Sequence, residues 1–290
     1  AMGVFVMAVF SPATMLALER GNNDLCVFFL VAAGARLLSC GRVGEVSGLI
    51  TLFMAFVLKL FPVFALVVVA RWKGRQFIWV LGILTLAVLG YLAVSWQDLQ
   101  LISEGTPRST RMSYGARVLW MAVGQQSEYL GSIVQGLSYF GMAMALGLAL
   151  LGCRSESSGK SVGNGAPAEH DMFLAGASIY GGTFLLGNNW DYRLVFLLLT
   201  MPQLLRWTNR TGRVRWVSRG LIGVILISLW HHVIHHLISR VPGGSPAGVL
   251  LDEIANWLVF FGLAWLLGKS LGPQLLTRLP RPVLDEPRPS

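Results

Sequence analysis

Residues 77–95 read FIWVLGILTLAVLGYLAVS, a stretch that contains no charged side chain. At the helical rise of about 1.5 Å per residue, such a run crosses the roughly 30 Å hydrocarbon core of a bilayer. The strands of a membrane barrel would instead alternate apolar and polar residues over about ten positions. The stretch therefore predicts a transmembrane helix, and residues 132–152, 220–239 and 249–268 are further apolar runs of about 20 residues.

The composition of the whole chain agrees with this prediction. Hydrophobic residues make up 54% of the 290 positions and charged residues 13%, whereas soluble domains carry about 25% charged residues. Backbone N–H and C=O groups in hydrocarbon need internal partners, so these runs form helices. The predicted fold is an all-α, polytopic transmembrane helical bundle with about eight membrane segments. These segments are 24–39, 46–70, 77–95, 130–152, 172–187, 193–207, 220–239 and 249–268.

The basic residues are concentrated between the apolar segments. The net charge of +9 is therefore explained by membrane orientation, because cytoplasmic loops are enriched in Lys and Arg, and we expect no nucleic-acid partner. The same rule places the C-terminus in the cytoplasm, provided that segment 46–70 is broken or re-entrant near Lys59 and Pro62. The predicted outer face then contains residues 19–24, 96–131, 187–193 and 240–248.

The apolar segments group into two transmembrane halves. The N-terminal half is residues 1–152, with its outer loop at 96–131, and the C-terminal half is residues 172–272. Residues 153–171, rich in Ser, Gly and Ala, predict a flexible cytoplasmic linker between the halves. Residues 273–290 contain several prolines and predict a disordered tail.

Polar residues of the predicted outer face are the candidates for function. Lys59 lies within an apolar segment, where an ammonium costs about 3 kcal/mol or more unless it is paired; a functional role and a lysine that snorkels to the interface are both open. Residues 19–24 precede an apolar helix, where they can cap the helix or favour an anion. Residues 188–193 form a second polar cluster. Arg111, in the long outer loop, can reach a phosphate.

Four histidines near the outer end of one segment suggest a different chemistry. They form two pairs at i,i+4 spacing, which can clamp a metal ion or a haem from one helix face. An interfacial helix end explains the same residues without a ligand. The acids and the asparagine that begin the last segment, Asp252, Glu253 and Asn256, are interpreted as helix caps. The four histidines are His231, His232, His235 and His236.

Three motifs, taken together with their order and spacing, resemble a known family. They are LERGNND at residues 18–24, KLFP at 59–62 and NWDYRLVFL at 189–197, the last followed by Pro202 and Gln203. This combination is similar to the GT-C superfamily of integral membrane glycosyltransferases, in the branch of polyprenol-phosphate-dependent mannosyltransferase-like proteins. The resemblance implies transfer of a sugar from a polyprenyl-phosphate donor to a lipid or glycan acceptor. It places this reaction on the non-cytoplasmic face of a bacterial inner membrane, in the cell envelope.

The resemblance also implies roles for individual residues. Arg20, Lys59 and Arg193 are expected to hold the donor phosphate, and Asp24 and Asp191 are the candidate catalytic or orienting carboxylates. No fixed cofactor is implied, although a divalent cation is compatible with the family. Further residues expected to bind the substrate are Asn22, Arg111, Asn189 and Tyr192.

One departure from the family pattern concerns the catalytic base. GT-C enzymes usually carry an aspartate in the first outer loop, after the first membrane helix, whereas the first motif of this chain falls within its first 25 residues. We therefore expect either that the chain is N-terminally truncated or that the family's base is missing. Two other functions remain open, a non-enzymatic lipid or polymer transporter and a haem or metal membrane protein. The sugar, the acceptor and the oligomeric state cannot be read from the sequence.

Overall fold

The computed structural model describes residues 2–21, 23–105, 109–110, 112–154, 167–241 and 244–276. Within these ranges the chain is almost entirely helical, with one pair of two-residue strands. The α-helices are α1 (Met2–Val9), α2 (Pro12–Glu19), α3 (Asn23–Leu37), α4 (Gly41–Leu58), α5 (Gly74–Val94), α6 (Trp96–Gly105), α7 (Val118–Gly124), α8 (Glu128–Arg154), α9 (Pro167–Leu186), α10 (Met201–Trp207), α11 (Arg213–Ser239) and α12 (Gly244–Leu276). The 3-10 helices are η1 (Phe61–Arg71) and η2 (Asp191–Thr200), and the strands are β1 (Ser113–Tyr114) and β2 (Asn189–Trp190).

Five helices of the described ranges are long and apolar enough to cross a membrane, namely α4, α5, α8, α11 and α12. The bent pair α1 and α2, at an angle of 41°, brings the number to six if it forms one span. These helices confirm the predicted class, an all-α polytopic membrane protein. The predicted segments 24–39, 172–187 and 193–207 correspond to α3, α9 and the unit of η2 with α10, which are not among the five. The number of eight membrane segments stays a prediction.

The break predicted within segment 46–70 lies next to Lys59. Helix α4 ends at Leu58, and Lys59 has extended backbone angles, with φ −149° and ψ 136°. The helix η1 begins two residues later and has Pro62 in its first turn, where the missing N–H of proline costs no helical hydrogen bond. The interruption presents the Lys59 side chain at a helix end instead of within a continuous helix.

Helix α9 runs through the centre of the bundle. Five consecutive residues, 173–177, are buried, and since 3.6 residues complete one turn, the helix is covered on all sides. Two of its glycines allow close approach of the 3-10 helices. A Cβ atom on Gly176 would lie 2.8 Å from the backbone oxygen of Phe196 in η2, and one on Gly182 would lie 2.2 Å from the ring of Phe64 in η1. Helix α9 therefore holds η1 and η2 on either side, and both lead directly to the candidate site.

The remaining long helices form a second layer around this centre. Helix α12 packs along α8 and α11, and α3 packs along α4. Helix α5 has no buried residue and exposes apolar side chains such as Ile78, Trp79 and Leu86. In a membrane these side chains face lipid, which explains why the most hydrophobic of the five candidate spans is also the least buried of them.

Both predicted flexible segments overlap helices of the structure. Helix α8 continues to Arg154 and α9 begins at Pro167, so both ends of the predicted linker 153–171 are helical. Helix α12 continues to Leu276, into the predicted tail 273–290. Helices α8 and α9 include polar residues beyond their apolar runs, because main-chain hydrogen bonding does not require apolar side chains. The rest of the two predictions, 155–166 and 277–290, lies outside the described residues.

Candidate functional site

A short antiparallel strand pair fixes the backbone of residues 187–193. Ser113 of β1 pairs with Trp190 of β2, and the N–H of Asp191 donates to the carbonyl oxygen of Met112 over 3.1 Å. Gly115 has a φ of +133°, and a Cβ atom there would lie 2.5 Å from the carbonyl oxygen of Gly187. Only glycine allows the two loops to approach so closely. Residues 112–115 thus anchor the segment that carries Asn189, Asp191 and Arg193.

Asp24, in the first turn of α3, is the centre of an ion cluster. Its side chain is 0% exposed, with Oδ1 3.4 Å from Lys59 Nζ and Oδ2 3.5 Å from Arg193 Nε. The three residues come from α3, from the break after α4 and from η2. Two cations against one carboxylate leave this cluster with a positive surplus. We call Asp24, Lys59 and Arg193 the cationic cluster.

Arg193 is held in place by further contacts. Its Nη1 donates to Asn189 Oδ1 over 2.6 Å, and its guanidinium lies 4.8 Å from the ring centroid of Phe61. Asn189 is itself anchored, since its Nδ2 donates to the carbonyl oxygen of Thr183 over 2.5 Å. A guanidinium oriented in this way is prepared for an anionic ligand, because little side-chain entropy is lost on binding.

Arg20 adds a third cation beside the cationic cluster. Its guanidinium lies 5.1 Å from the ring centroid of Trp190 and 5.8 Å from that of Tyr192. A cation over aromatic faces gains about 0.5–1 kcal/mol at exposed sites. The predicted substrate residue Tyr192 is thus a platform for Arg20, with its own side chain buried.

Asp191, the second predicted carboxylate, faces two histidines. Its Oδ2 lies 3.1 Å from Nε2 of His231 and 3.4 Å from Nε2 of His232. The two imidazole centroids are 3.8 Å apart. We call Asp191, His231 and His232 the Asp–His group.

The four histidines of α11 have different neighbours in the structure. His235 packs against α12, where a Cβ atom on Gly248 would lie 2.6 Å from its ring, and His236 Nε2 lies 3.0 Å from Arg240. Adjacent histidines meet instead of i,i+4 pairs, because Asp191 approaches α11 between His231 and His232. Within the described residues, the possible metal-ligand group comprises Asp191 and these two histidines.

Two acids that the sequence suggested as helix caps belong to the same region. Helix α12 begins at Gly244, so Asp252 and Glu253 lie more than two turns inside it and do not cap it. Asp252 Oδ1 lies 3.9 Å from His231 Nδ1 and accepts a hydrogen bond from Asn256 Nδ2 over 3.0 Å. Glu253 is 4% exposed and interacts electrostatically with Asp252 and Asp191. The sequence signal that could have predicted this cluster is the presence of polar residues at positions i, i+1 and i+4 of an apolar helix.

Tyr114 lies near charged residues of both clusters. It stacks on Tyr180 with ring centroids 5.4 Å apart and shares a 2.9 Å hydrogen bond with the Thr183 hydroxyl. Burial raises the pKa of the Tyr114 phenol well above its usual range, and the nearby charges of Arg193, Asp191 and Asp24 act on it as well. The cationic cluster and the Asp–His group therefore both lie close to this phenol.

Most of the predicted site residues thus come together around residues 189–193. Arg20, Asp24, Lys59, Asn189 and Arg193 share the cationic side, whereas Asp191 belongs to the other side. Asn22 and Arg111 lie outside the described residues. No protein-family model matches this chain, and no curated protein or solved structure was found to be significantly similar. The interpretation of the site therefore depends on its own geometry.

Proposed function

We propose that this protein is a membrane glycosyltransferase that moves a sugar from a polyprenyl-phosphate donor to a lipid or glycan acceptor. The observation that carries the proposal is the convergence of Lys59, Arg193 and Arg20 on one place in an otherwise apolar protein. The proposed location is the non-cytoplasmic face of a bacterial inner membrane, with the C-terminus in the cytoplasm. This orientation follows from the distribution of basic residues.

The charge of the cationic cluster favours a phosphate ligand. The cluster has one positive charge in excess, and Arg20 adds another. The side chains of Lys59 and Arg193 are 30% and 21% exposed, so both can present N–H groups to a ligand while they contact Asp24. Charge-assisted hydrogen bonds to phosphate oxygens are about twice as strong as neutral ones.

The same arrangement suits a transfer reaction in which phosphate leaves. The bond between the sugar C1 and the phosphate oxygen breaks, and its electron pair stays on that oxygen, where fixed cations stabilise the growing charge. The acceptor hydroxyl oxygen forms the new bond to C1 and gives its proton to a base. Of the two predicted carboxylates, Asp24 forms ion pairs with Lys59 and Arg193. The acceptor side of the site is therefore assigned to Asp191.

Binding of the donor lipid to protein in nanodiscs tests the proposal. We expect Lys59→Ala and Arg193→Ala each to weaken binding of a polyprenyl phosphate by about tenfold or more, because each removes a charged hydrogen-bond donor worth about 1.5–3 kcal/mol. Native mass spectrometry or a fluorescent lipid titration measures the affinity. Lys59→Arg keeps the charge and should retain binding.

The control for this experiment is Lys73→Ala. It makes the same chemical change at an exposed lysine that precedes α5 and should leave lipid affinity unchanged. Equal affinities of wild type, Lys59→Ala and Arg193→Ala would overturn the phosphate site. Movement of the lipid across liposomes without release of its sugar would favour the transporter over the transferase.

A further inference from the structure

The ligand atoms of the Asp–His group have the spacing of a metal coordination shell. Zinc binds histidine nitrogen and carboxylate oxygen at about 2.0–2.1 Å, so neighbouring ligands of a tetrahedral ion are about 3.3 Å apart. The two distances from Asp191 Oδ2 to the histidine Nε2 atoms are 3.1 and 3.4 Å. One ligand atom from each of the three residues lies within 4.8 Å of the others.

Several of these atoms are buried without an aligned hydrogen bond. Both carboxylate oxygens of Asp191 and Nε2 of His232 have no hydrogen-bond partner among the described residues. Leaving a buried polar group unsatisfied costs about 1–3 kcal/mol, and more for a charged group. A cation bound between the three side chains would satisfy all of these atoms together.

The tautomer of His231 points to the same conclusion. Its Nδ1 lies 2.7 Å from the carbonyl oxygen of Ser228, and a carbonyl can only accept, so Nδ1 carries a hydrogen. In a neutral imidazole, Nε2 then directs its lone pair at the Asp191 carboxylate. That contact is repulsive unless a proton or a metal ion lies between the two atoms. Metal-ligating histidines commonly donate their other N–H in this way.

Further acidic side chains lie close to the Asp–His group. Asp252 approaches Nδ1 of His231 to 3.9 Å, and Glu253 interacts electrostatically with Asp191. Among the described residues, the ion pairs recorded for Asp191 and Asp252 involve histidines alone. Three carboxyl groups that gather in a low-dielectric interior must take up protons or have compensating positive charge nearby.

We propose that Asp191, His231 and His232 bind one divalent transition-metal ion, with zinc as the preferred occupant. Two imidazoles and one carboxylate are a donor set that suits zinc, and three protein ligands leave a coordination position open for water or an acceptor hydroxyl. Asp252 supports the site through His231. The proposal is independent of the sugar chemistry, since it concerns the ligand set alone.

Zinc binding to the full chain in detergent, after removal of metal with a chelator, tests this site without any lipid donor. Wild type should take up one zinc ion per chain. Asp191→Asn and His232→Gln should each weaken zinc binding by about 100-fold, because loss of a direct ligand exceeds the 10–100-fold typical for a supporting contact. Competition with a zinc-sensitive dye gives the affinity, and cobalt substitution gives an absorption spectrum that depends on the ligands.

The matched control is His236→Gln, on the same helix but outside the Asp–His group, which should bind zinc like wild type. The substitution Asp191→Asn preserves side-chain shape, and the thermal stability of the metal-free protein shows whether the fold is intact. Absence of stoichiometric zinc in wild type, or equal affinity in wild type and both ligand variants, would overturn the site. Since polyprenyl phosphate binding is measured separately, failure of one proposal does not decide the other.

Discussion

Replacement of Asp24 by asparagine should destabilise the protein by about 3 kcal/mol. Asp24 is fully buried between Lys59 and Arg193, and removal of one partner from a buried ion pair costs about 3–5 kcal/mol because the other charge stays behind. The partial exposure of both cations places the expected cost at the lower end of that range. Equilibrium unfolding in mixed detergent micelles measures the change. No other single polar substitution in the site leaves two cations without their shared carboxylate.

A second substitution tests whether the charge of the two cations causes this loss of stability. The double variant Asp24→Asn with Lys59→Met lacks one of the two cations that contact Asp24 in the wild type, so it should be more stable than Asp24→Asn alone. Asp98→Asn makes the same chemical change on exposed helix α6 and should shift stability by less than about 0.5 kcal/mol. If Asp24→Asn unfolds at the wild-type midpoint, the cationic cluster does not stabilise the fold.

Replacement of Gly268 by leucine should separate α8 from α12 and cost about 3 kcal/mol or more. A Cβ atom on Gly268 would lie 1.9 Å from the carbonyl oxygen of Ala149, and on the facing helix a Cβ on Gly152 would lie 2.3 Å from the carbonyl oxygen of Trp265. The backbones touch directly, so no side chain can move aside. Membrane helices associate through such small residues because packing drives the contact where the hydrophobic effect is weak.

Thermal unfolding in detergent measures this effect. For a chain of this size, about 3 kcal/mol corresponds to a fall in Tm of roughly 6–12 °C. The control is Gly147→Leu on α8, where an added Cβ meets nothing within 4 Å, and we expect it to unfold close to wild type. Equal Tm values for Gly268→Leu and Gly147→Leu would contradict the direct contact between the two backbones.

The fold class could be predicted because hydropathy is a local property. The composition of each apolar run is enough to predict a membrane helix, as it does for α5, α8, α11 and α12. The sequence was enough to locate helix α9 but not to predict that it lies at the centre of the bundle. It is buried on all sides because η1, η2, α3 and α12 pack against it, and such contacts join residues distant in the chain.

The cations of the site were also predictable one at a time. Lys59 is costly in an apolar segment, and Arg20 and Arg193 lie in polar motifs between apolar runs. Their shared partner was not predictable, since Asp24 and Arg193 are separated by 169 positions. The spacing of the histidines predicted i,i+4 pairs, yet His231 and His232 were selected by the approach of Asp191 from another element.

The sequence by itself therefore determined that the chain is a polytopic helical membrane protein, that it breaks at Lys59, and that its unusual polar residues lie near helix ends. Tertiary structure decided which of these residues meet. Asp24 contacts two cations, and Asp252 and Glu253 lie near Asp191 instead of capping a helix. Of the four histidines, only His231 and His232 lie against Asp191 among the described residues. The physical reason is that the energy of a buried charge depends on what surrounds it in space. Helices that are apolar on most faces carry little information about which face will be turned inward.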